Sequence, residues 1–281
     1  FFKSIAYKLF KIIYGEISNK IFPKTNTDIT IENIQLQNHN YQIFFCKKSR
    51  LYTDRIHDTA IIKNNSIIDG PSFQYRNNKN DKCENNGVFK KGTPRFKKIL
   101  KGAVLSLLTG GGGNSNYWHW LFDVLPRFKI LENIQNLSDI NYFLLPNLKN
   151  KFQIETLDII GIPRDKRLSS IKQRHIECDQ IIVSDHPYVI KNDASNEIQN
   201  LPMWIINWLK KTLIKDKLLS DKNFPTNIYI DRSDSHANVA NLRKIINEKE
   251  VVNCLKERDF EIITLSSYSF KDQMKLFQYE P

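Results

Sequence analysis

The sequence predicts an α/β fold built from two Rossmann-like domains, the second of them incomplete, with a β-rich part before them. From about residue 100 onward, apolar strand patterns and helical patterns alternate along the chain. The same alternation begins again after a long helical pattern over residues 202–218. Alternating strands and helices are typical of a doubly wound, mostly parallel sheet. We therefore expect an N-terminal segment over residues 1–30, a first domain over 31–218 and the start of a second domain over 219–281.

The N-terminal part has two features of its own. Residues 1–14 show an amphipathic helical pattern, with an apolar side and a side that carries lysines. Two arrangements fit such a helix: it lies on a membrane surface, or it packs on the domain. Residues 28–75 contain short alternating strand patterns, and Asn64-Asn65 predicts a hairpin turn. The polar run over residues 76–87 predicts a mobile loop.

Each domain has its own series of predicted elements. The first has strands over 103–108, 142–145 and 180–183 and helices over 117–133 and 152–160. The second has strands over 227–230 and 261–264, with helices that follow Asn247 and Ser269. Gly161 and Pro163 end the second helix of the first domain, because these residue types terminate helices.

Net charge and hydropathy limit the classes of function that fit this protein. The chain has 281 residues and a net charge of +12 at pH 7. This charge favours a polyanionic partner such as nucleic acid, anionic lipid or a phosphorylated substrate, or it serves solubility alone. The basic residues form no arginine-rich arm, zinc finger or RNP signature, so we expect no specific nucleic-acid recognition. The sequence has no run of about 18 to 20 apolar residues, so we expect no transmembrane helix.

The four cysteines are far apart and form no CxxC pair, which argues against a zinc ribbon or a redox motif. We expect reduced thiols, as is typical of a cytoplasmic protein. The predicted location is therefore the cytoplasm, with peripheral contact at the inner face of the membrane as one option.

A glycine cluster, Gly110 to Gly113, lies between a predicted strand and a predicted helix. Glycines in this position let backbone N–H groups approach a phosphate. The cluster does not match the dinucleotide pattern GxGxxG, since Ser115 or Asn116 stands where the last glycine is required. A flexible turn is the alternative interpretation.

His119 and Asp123 are four residues apart on a predicted helix, so they lie one turn apart on the same side. A carboxylate in that position can orient an imidazole that acts as a general base. Trp118, Trp120 and Phe122 add flat apolar surfaces of the kind that stack on sugars or bases. The same residues also fit a purely structural helix, with Trp120 in the core. We expect no zinc site, because no third ligand with suitable local spacing accompanies the pair.

The run from Asn116 to Arg127, NYWHWLFDVLPR, resembles the signature of glycosyltransferase family 61. That family includes plant xylosyl- and arabinosyltransferases, extracellular O-GlcNAc transferases and bacterial capsule-synthesis proteins. A second block over residues 229–276 resembles the family's later pattern. The matching positions of this block are Arg232, Arg243, Asn247, Glu248 and Gln273. The resemblance covers roughly residues 50 to 281.

The resemblance implies a GT-B-like architecture and inverting, metal-independent transfer from a nucleotide sugar to a glycan or a lipid-linked saccharide. The nucleotide sugar is then a co-substrate, and neither a cofactor nor a metal is expected. The resemblance also implies a strand and a His-Gly-Ala-Gly-like loop after the helix that carries Gln273. We therefore expect the chain to be a fragment in which the donor site is only partly present.

Inverting transfer requires a base for the acceptor hydroxyl and positive charge for the departing diphosphate, and we assign these roles to the matching residues as a hypothesis. His119 is the expected base, oriented by Asp123, and direct action of Asp123 is the rival assignment. Arg232 and Arg243 suit a diphosphate, because a guanidinium binds phosphate oxygens bidentately without a metal. The remaining expected substrate-binding residues are Asn116, Tyr117, Trp118, Arg127, Asn247, Glu248 and Gln273.

Structural roles are alternatives for several of these residues. Two helix starts fit the capping-box pattern, Asn247 with Glu250 and Ser269 with Asp272. Arg243 also fits a solvated surface charge, and Gln273 fits the polar side of its helix. At the level of the whole protein, the alternatives are a non-catalytic phosphate- or nucleic-acid-binding Rossmann-like module and an inactive fragment.

Overall fold

The computed structural model describes residues 2–53, 58–72, 74–76, 79–108, 116–189, 194–215, 223–234 and 245–278. The chain divides into two compact units. The first unit consists of Phe1–Asn150 and Gly161–Lys210, and the second of Lys151–Ile160 and Lys211–Pro281. A mixed α/β structure with one large sheet results.

The first unit contains most of the strands. They are β1 (Asn19–Ile21), β2 (Ile29–Leu36), β3 (His39–Thr53), β4 (Thr59–Lys63), β5 (Ser66–Ile68), β6 (Gln74–Arg76), β7 (Lys79–Asp81), β8 (Lys98–Ser106), β9 (Tyr142–Leu145), β10 (Arg167–Ser169) and β11 (His175–Ser184). Its helices are α1 (Phe2–Tyr14), α2 (Val88–Lys91), α3 (Tyr117–His119), α4 (Pro126–Glu132), α6 (Ala194–Glu197) and most of α7 (Met203–Leu213). The second unit contains α5 (Lys151–Ile160), β12 (Ile228–Ile230), α8 (Glu248–Lys256), β13 (Glu261–Ile263) and α9 (Phe270–Leu276).

Nine of the described strands form one sheet, in the order β1-β5-β4-β3-β11-β8-β9-β10, and β2 also pairs with β3. The strands β11, β8, β9 and β10 run parallel, which confirms the parallel arrangement predicted from residue 100 onward. The sheet as a whole is mixed, because β3 of the β-rich opening pairs antiparallel with β11. The β-rich opening therefore extends the same sheet. It does so because β3 is 15 residues long and pairs with β2 near its start and with β4 near its end.

Both faces of this sheet carry a buried cluster. Neighbouring residues of one strand point to opposite faces. Ile61 belongs to one buried cluster with Val104 and Ile181, and its neighbour Ile62 belongs to another with Tyr52. All five residues of β4 are accordingly buried. This double burial explains why the strands of the sheet are rich in isoleucine and leucine.

The hairpin predicted at Asn64-Asn65 is confirmed, since these residues join β4 to β5. Their φ angles are 47° and 57°. Two successive residues in the left-handed region form the turn that matches the twist of paired strands, and asparagine tolerates this region well.

The segment over residues 76–87, which the sequence predicts to be a loop, contains regular secondary structure in the part that the structure describes. Backbone hydrogen bonds pair β6 with β7, and a 3-10 turn follows over Cys83–Asn85. Cys83 is buried in the cluster around Tyr52. The side chain of Asn86, itself buried, accepts a hydrogen bond from the Val88 N–H. The polar composition therefore concealed local hydrogen bonding.

The N-terminal helix α1 packs one of its sides on the first unit. Phe10 is buried and its ring lies 5.1 Å from that of Phe96. The Tyr14 ring lies 5.0 Å from His175, and its hydroxyl accepts a hydrogen bond from the Lys97 N–H. This packing on the domain is one of the two arrangements that fit the sequence. Among the described residues, none of the helices has the length and apolar character needed to cross a membrane.

The second unit has the βαβα order that the sequence predicts: β12 and β13 pair in parallel, α8 lies between them in the chain, and α9 follows. Helix α7 ends at Leu213 and is therefore shorter than the helix predicted over 202–218. Residues 216–218 of the predicted helix lie outside the described residues. The capping box at Ser269 is confirmed, with both of its hydrogen bonds formed to Asp272. The one predicted at Asn247 is wrong, since the amide of Asn247 donates to the side chain of Glu250 and caps no N–H.

Candidate active site

The segment around His119 forms a helix with one wide turn. Asn116 caps its start, accepting a hydrogen bond from the His119 N–H at 3.3 Å. After α3 the chain makes a π-helical turn over Trp120–Val124, closed by a bond from the Leu125 N–H to the Trp120 carbonyl. The sequence predicts one regular helix here. The irregularity precedes Pro126, which has no N–H for the preceding turn, and α4 begins at this proline.

His119 and Asp123 form the pair that the four-residue spacing predicts. The Nδ1 atom of His119 lies 2.8 Å from Oδ2 of Asp123. The side chain of His119 is 38% exposed, whereas that of Asp123 is 2% exposed. One member of the pair is therefore accessible from outside and the other is held inside the protein.

A second histidine, His186, approaches the same carboxylate, and the sequence interpretation did not include it. Its Nε2 atom lies 3.7 Å from Asp123 Oδ2. Its Nδ1 atom accepts hydrogen bonds from the N–H groups of Tyr188 and Val189, at 3.3 and 3.0 Å. An imidazole nitrogen that accepts must be unprotonated, so His186 is neutral and carries its proton on Nε2, facing Asp123.

The pKa values of the three groups follow from this geometry. Burial by itself raises the pKa of Asp123, but the hydrogen bond from His119 and the Nε2–H of His186 outweigh it and lower the pKa to about 2. The hydrogen bond to Asp123 raises the pKa of His119 above its usual 6.5. Burial lowers the pKa of His186. Asp123 is thus a carboxylate near neutral pH, and His186 stays neutral there.

Arg127, which was expected among the substrate-binding residues, is fully buried. Its Nε donates to the Asp123 carbonyl at 2.7 Å, and one terminal nitrogen donates to the Ser184 carbonyl at 3.2 Å. Burial lowers the pKa of Arg127 to about 10, which leaves the guanidinium charged at neutral pH. Arg127 therefore ties the helix to the end of β11.

The residues directly after β11 belong to this site. Ser184 ends the strand, and Asp185 and His186 follow it. Asp185 accepts a hydrogen bond from the Gln42 N–H at 2.7 Å, and burial raises the pKa of its carboxyl. A signal for these residues was present in the sequence, because polar residues after a buried parallel strand lie where α/β folds bind ligands.

Aromatic side chains lie beside the histidine. The rings of Trp118 and Phe122 are 4.1 Å apart and tilted by 31°. Trp118 is partly exposed and Tyr117 is half-buried, so both can contribute to a surface beside His119. Trp120 is completely buried and belongs to the core. The glycine cluster Gly110 to Gly113 lies outside the described residues.

The second unit holds the other group of expected site residues. Arg232 is exposed and is the second residue after the end of β12. Next to it, Asp231 accepts hydrogen bonds from the hydroxyls of Ser233 and Thr264, at 2.9 and 2.8 Å. These polar residues lie at the carboxyl ends of the two paired strands. Arg243 lies outside the described residues.

Three further residues of the second unit make local contacts. Glu248 begins α8 and accepts a hydrogen bond from the Tyr229 hydroxyl at 3.1 Å. The Gln273 amide donates to the Leu265 carbonyl at 2.9 Å, which fixes the loop after β13. Asn247 is exposed and bonds only locally to the helix it precedes. The structure thus groups Asn116 to Arg127 in one unit and these residues in the other.

No group of three or more His, Cys, Asp or Glu side chains within the described ranges is arranged to hold a metal ion.

A histidine held by a buried carboxylate beyond the carboxyl ends of parallel strands is an arrangement for proton transfer in an α/β enzyme. The glycosyltransferase 61 family model matches residues 117–279, which is more than half of the chain. The chain belongs to this family, as its resemblance implied, and family membership implies glycosyltransferase activity. No curated protein and no solved structure matches the chain.

Proposed function

We propose that the protein is an inverting, metal-independent glycosyltransferase that moves a sugar from a nucleotide-sugar donor to a hydroxyl of a glycan or lipid-linked saccharide, in the synthesis of a surface polysaccharide. The observation that carries this proposal is the accessible His119 hydrogen-bonded to the buried, ionised Asp123. The family implies a nucleotide-sugar donor and a glycan acceptor in general.

His119 is the general base in this proposal. Because Asp123 is ionised and can only accept, the proton between them belongs to His119 Nδ1. The neutral imidazole therefore has its lone pair on Nε2. That atom takes the proton of the acceptor hydroxyl while the hydroxyl oxygen attacks the anomeric carbon of the donor sugar. The bond from that carbon to the diphosphate breaks, and its electron pair leaves with the diphosphate, so that the configuration inverts.

Asp123 is the rival base, and its burial weighs against that role. Only 2% of its side chain is exposed, and Oδ2 already accepts the His119 hydrogen bond. We assign Asp123 to holding the tautomer of His119. We assign His186 to holding the Asp123 carboxylate, because its Nε2–H faces the same oxygen. These are positioning roles, since neither side chain is accessible to an acceptor.

The remaining residues divide into two groups in the proposal. Asn116, Tyr117 and the Trp118–Phe122 pair form the acceptor side, where aromatic faces suit the apolar faces of sugar rings. On the donor side, the exposed Arg232 neutralises the diphosphate, and Arg243 is proposed to join it. This division corresponds to a GT-B-like arrangement with residues 31–218 on the acceptor side and 219–281 on the donor side.

Four free cysteines accompany this proposal, and three of them are buried. Reduced thiols are typical of cytoplasmic proteins, so we propose that transfer takes place in the cytoplasm.

The test uses the full product of the open reading frame that contains this chain. A panel of nucleotide sugars is offered with saccharide acceptors, and release of the nucleoside diphosphate is measured. We expect turnover with at least one donor, and a loss of about 10²–10⁴-fold in His119→Gln with donor binding retained. His39→Gln, a variant of a histidine in β3, is the matched control and should keep wild-type turnover. A non-catalytic binding module would bind a nucleotide sugar but would release no nucleoside diphosphate from any donor.

The pH dependence separates the two candidate bases. If His119 is the base, the acid limb of kcat/KM lies above pH 6.5, since the hydrogen bond to Asp123 raises the pKa of His119. The Asp123→Asn variant should then be slower, and its limb should move to lower pH, because the carboxylate no longer stabilises the imidazolium. If Asp123 is the base, the wild-type limb lies near the Asp123 pKa of about 2.

A further inference from the structure

Helix α1 leaves four large aliphatic side chains exposed. Phe10 and Tyr14 pack on the first unit. Four aliphatic side chains lie on another side of the helix and are exposed: Ile5 50%, Leu9 50%, Ile12 82% and Ile13 48%. Their spacing places them in one stripe along the helix. Four exposed large aliphatic side chains in one stripe form a contiguous apolar patch, which is uncommon on a surface that faces only water.

A basic cleft adjoins this helix. It has a volume of about 420 Å³, and its lining includes four basic side chains and no acidic one among the described residues. The basic side chains are Arg95, Lys98, Lys172 and Arg174. Phe96 joins the two features, because its ring contacts Phe10 of α1, lines the cleft and is 80% exposed.

Two acidic residues near this face are already paired with lysines. Glu16 contacts Lys11 at 2.6 Å, and Glu177 contacts Lys97 at 2.5 Å. The exposed Lys3 and Lys8 of α1 add further positive charge. The face thus combines exposed apolar side chains with an excess of basic ones.

We propose that the stripe of α1, Phe96 and the basic cleft form a docking face for a membrane that contains anionic phospholipid. The apolar side chains enter the boundary between headgroups and acyl chains, and the cleft takes a lipid phosphate. This is the chemistry by which amphipathic helices lie on anionic membranes. The inference is independent of sugar transfer.

Charge argues against two other occupants. A second copy seated on the same face would bring its own lysines and arginines against these, and like charges repel. A nucleic acid would use the basic cleft but leave the aliphatic stripe in water. Of these three occupants, the anionic lipid surface is the one that satisfies both halves of the face.

The test is flotation of the purified protein with vesicles, which needs no knowledge of the sugar substrates. Vesicles of phosphatidylcholine and phosphatidylglycerol in equal amounts are compared with vesicles of phosphatidylcholine alone. We expect binding to the anionic vesicles and at least about tenfold weaker binding to the neutral ones. A higher salt concentration should weaken the binding to the anionic vesicles.

Two double variants separate the contributions. Ile12→Gln with Phe96→Gln should weaken binding to anionic vesicles about tenfold or more, because both side chains are highly exposed and lose apolar surface. Lys172→Gln with Arg174→Gln should weaken it to a similar extent by removing two charges from the cleft. The matched controls are Ile246→Gln with Phe277→Gln, and Lys249→Gln with Lys271→Gln, which change exposed residues elsewhere.

Equal binding to both kinds of vesicle, or no binding to either, would overturn the proposal. So would apolar and charge variants that bind no worse than their matched controls. A dimer in sedimentation velocity that the Ile12 and Phe96 changes abolish, without vesicle binding, would assign the face to a second copy instead. Circular dichroism of each variant checks that the fold is unchanged.

Discussion

The Nε2 atom of His186 lies 3.7 Å from the oxygen of Asp123 that also accepts the His119 hydrogen bond. One carboxylate oxygen therefore faces two histidines of opposite character. His119 is partly exposed and its pKa is raised by the hydrogen bond to Asp123, whereas His186 is buried and its pKa is lowered by burial. The outer histidine is suited to take a proton, and the inner one keeps the carboxylate charged and in place.

Replacing His186 by asparagine tests this positioning role. The side-chain oxygen of asparagine is separated from Cα by the same number of bonds as Nδ1 of histidine. It can therefore still accept hydrogen bonds from the N–H groups of Tyr188 and Val189. The donor that faces Asp123 is lost. The carboxylate then interacts more strongly with His119, and the acid limb of kcat/KM should move up by about half a pH unit.

The measurement is the pH profile of kcat/KM together with the free energy of unfolding. A purely structural role for His186 would lower stability and leave the acid limb where it is in the wild type. That result would remove His186 from the catalytic arrangement.

Arg127 should matter for stability more than for binding. Its guanidinium bonds the carbonyls of Asp123 and Ser184 inside the protein, and Arg127→Met leaves both without that donor. We expect a loss of about 3 kcal/mol in the free energy of unfolding, measured with urea. Lys129→Met on the same helix is the control and should change stability by less than about 0.5 kcal/mol. Equal effects of the two changes would contradict the assignment.

His175 should make the protein sensitive to acid. Burial lowers its pKa to about 4, despite the hydrogen bond from Nδ1 to the Arg95 carbonyl. The unfolded chain binds the proton at its usual pKa near 6.5, so stability falls as the pH drops from about 6.5 towards 4. The contribution of this group over that range is about 3 kcal/mol. His175→Asn keeps a donor for Arg95 but cannot titrate.

Urea unfolding of the wild type and of His175→Asn at a series of pH values measures this contribution. The difference between the two free energies should shrink or reverse as the pH falls. A difference that does not change with pH would show that His175 does not titrate in this range.

The two helix starts of the second unit should respond differently to alanine. Ser269 forms a complete capping box with Asp272, so Ser269→Ala should lower the free energy of unfolding by about 1 kcal/mol. Asn247 caps no N–H of α8, so Asn247→Ala should lower it by less than about 0.5 kcal/mol. Thermal unfolding followed by circular dichroism measures both. Similar losses would mean that Asn247 caps its helix in solution.

Local patterns predicted much of this molecule. The hairpin at Asn64-Asn65 was predictable because its residue types favour the left-handed region. The pair of His119 and Asp123 was predictable because helical geometry relates residues four apart. The capping box at Ser269 followed from the same kind of short-range rule. Each of these depends on residues within one turn of the chain.

Features that depend on distant pairing could not be predicted in this way. His186 is 63 residues from Asp123, and only the parallel placement of β11 beside β8 brings its loop to the helix. The antiparallel pairing of β3 with β11 joins residues more than 120 positions apart, for example Tyr52 and His175. The hydrophobic pattern indicates that both strands are buried, but it does not predict which strands are neighbours in the sheet.

The wide turn at Trp120–Val124 has a consequence for insertions and deletions. A turn of this kind holds one residue more than an α-helical turn, so deleting one residue there would restore a regular helix. Because the shorter regular turn still completes about one revolution, the parts of the helix on either side would keep nearly the same direction relative to each other. The spacing between His119 and Asp123 would fall from four residues to three if the deletion lay between them, and their 2.8 Å contact would then have to form over the shorter spacing. The wide turn is therefore a place where the chain can lose one residue without turning α3 away from α4.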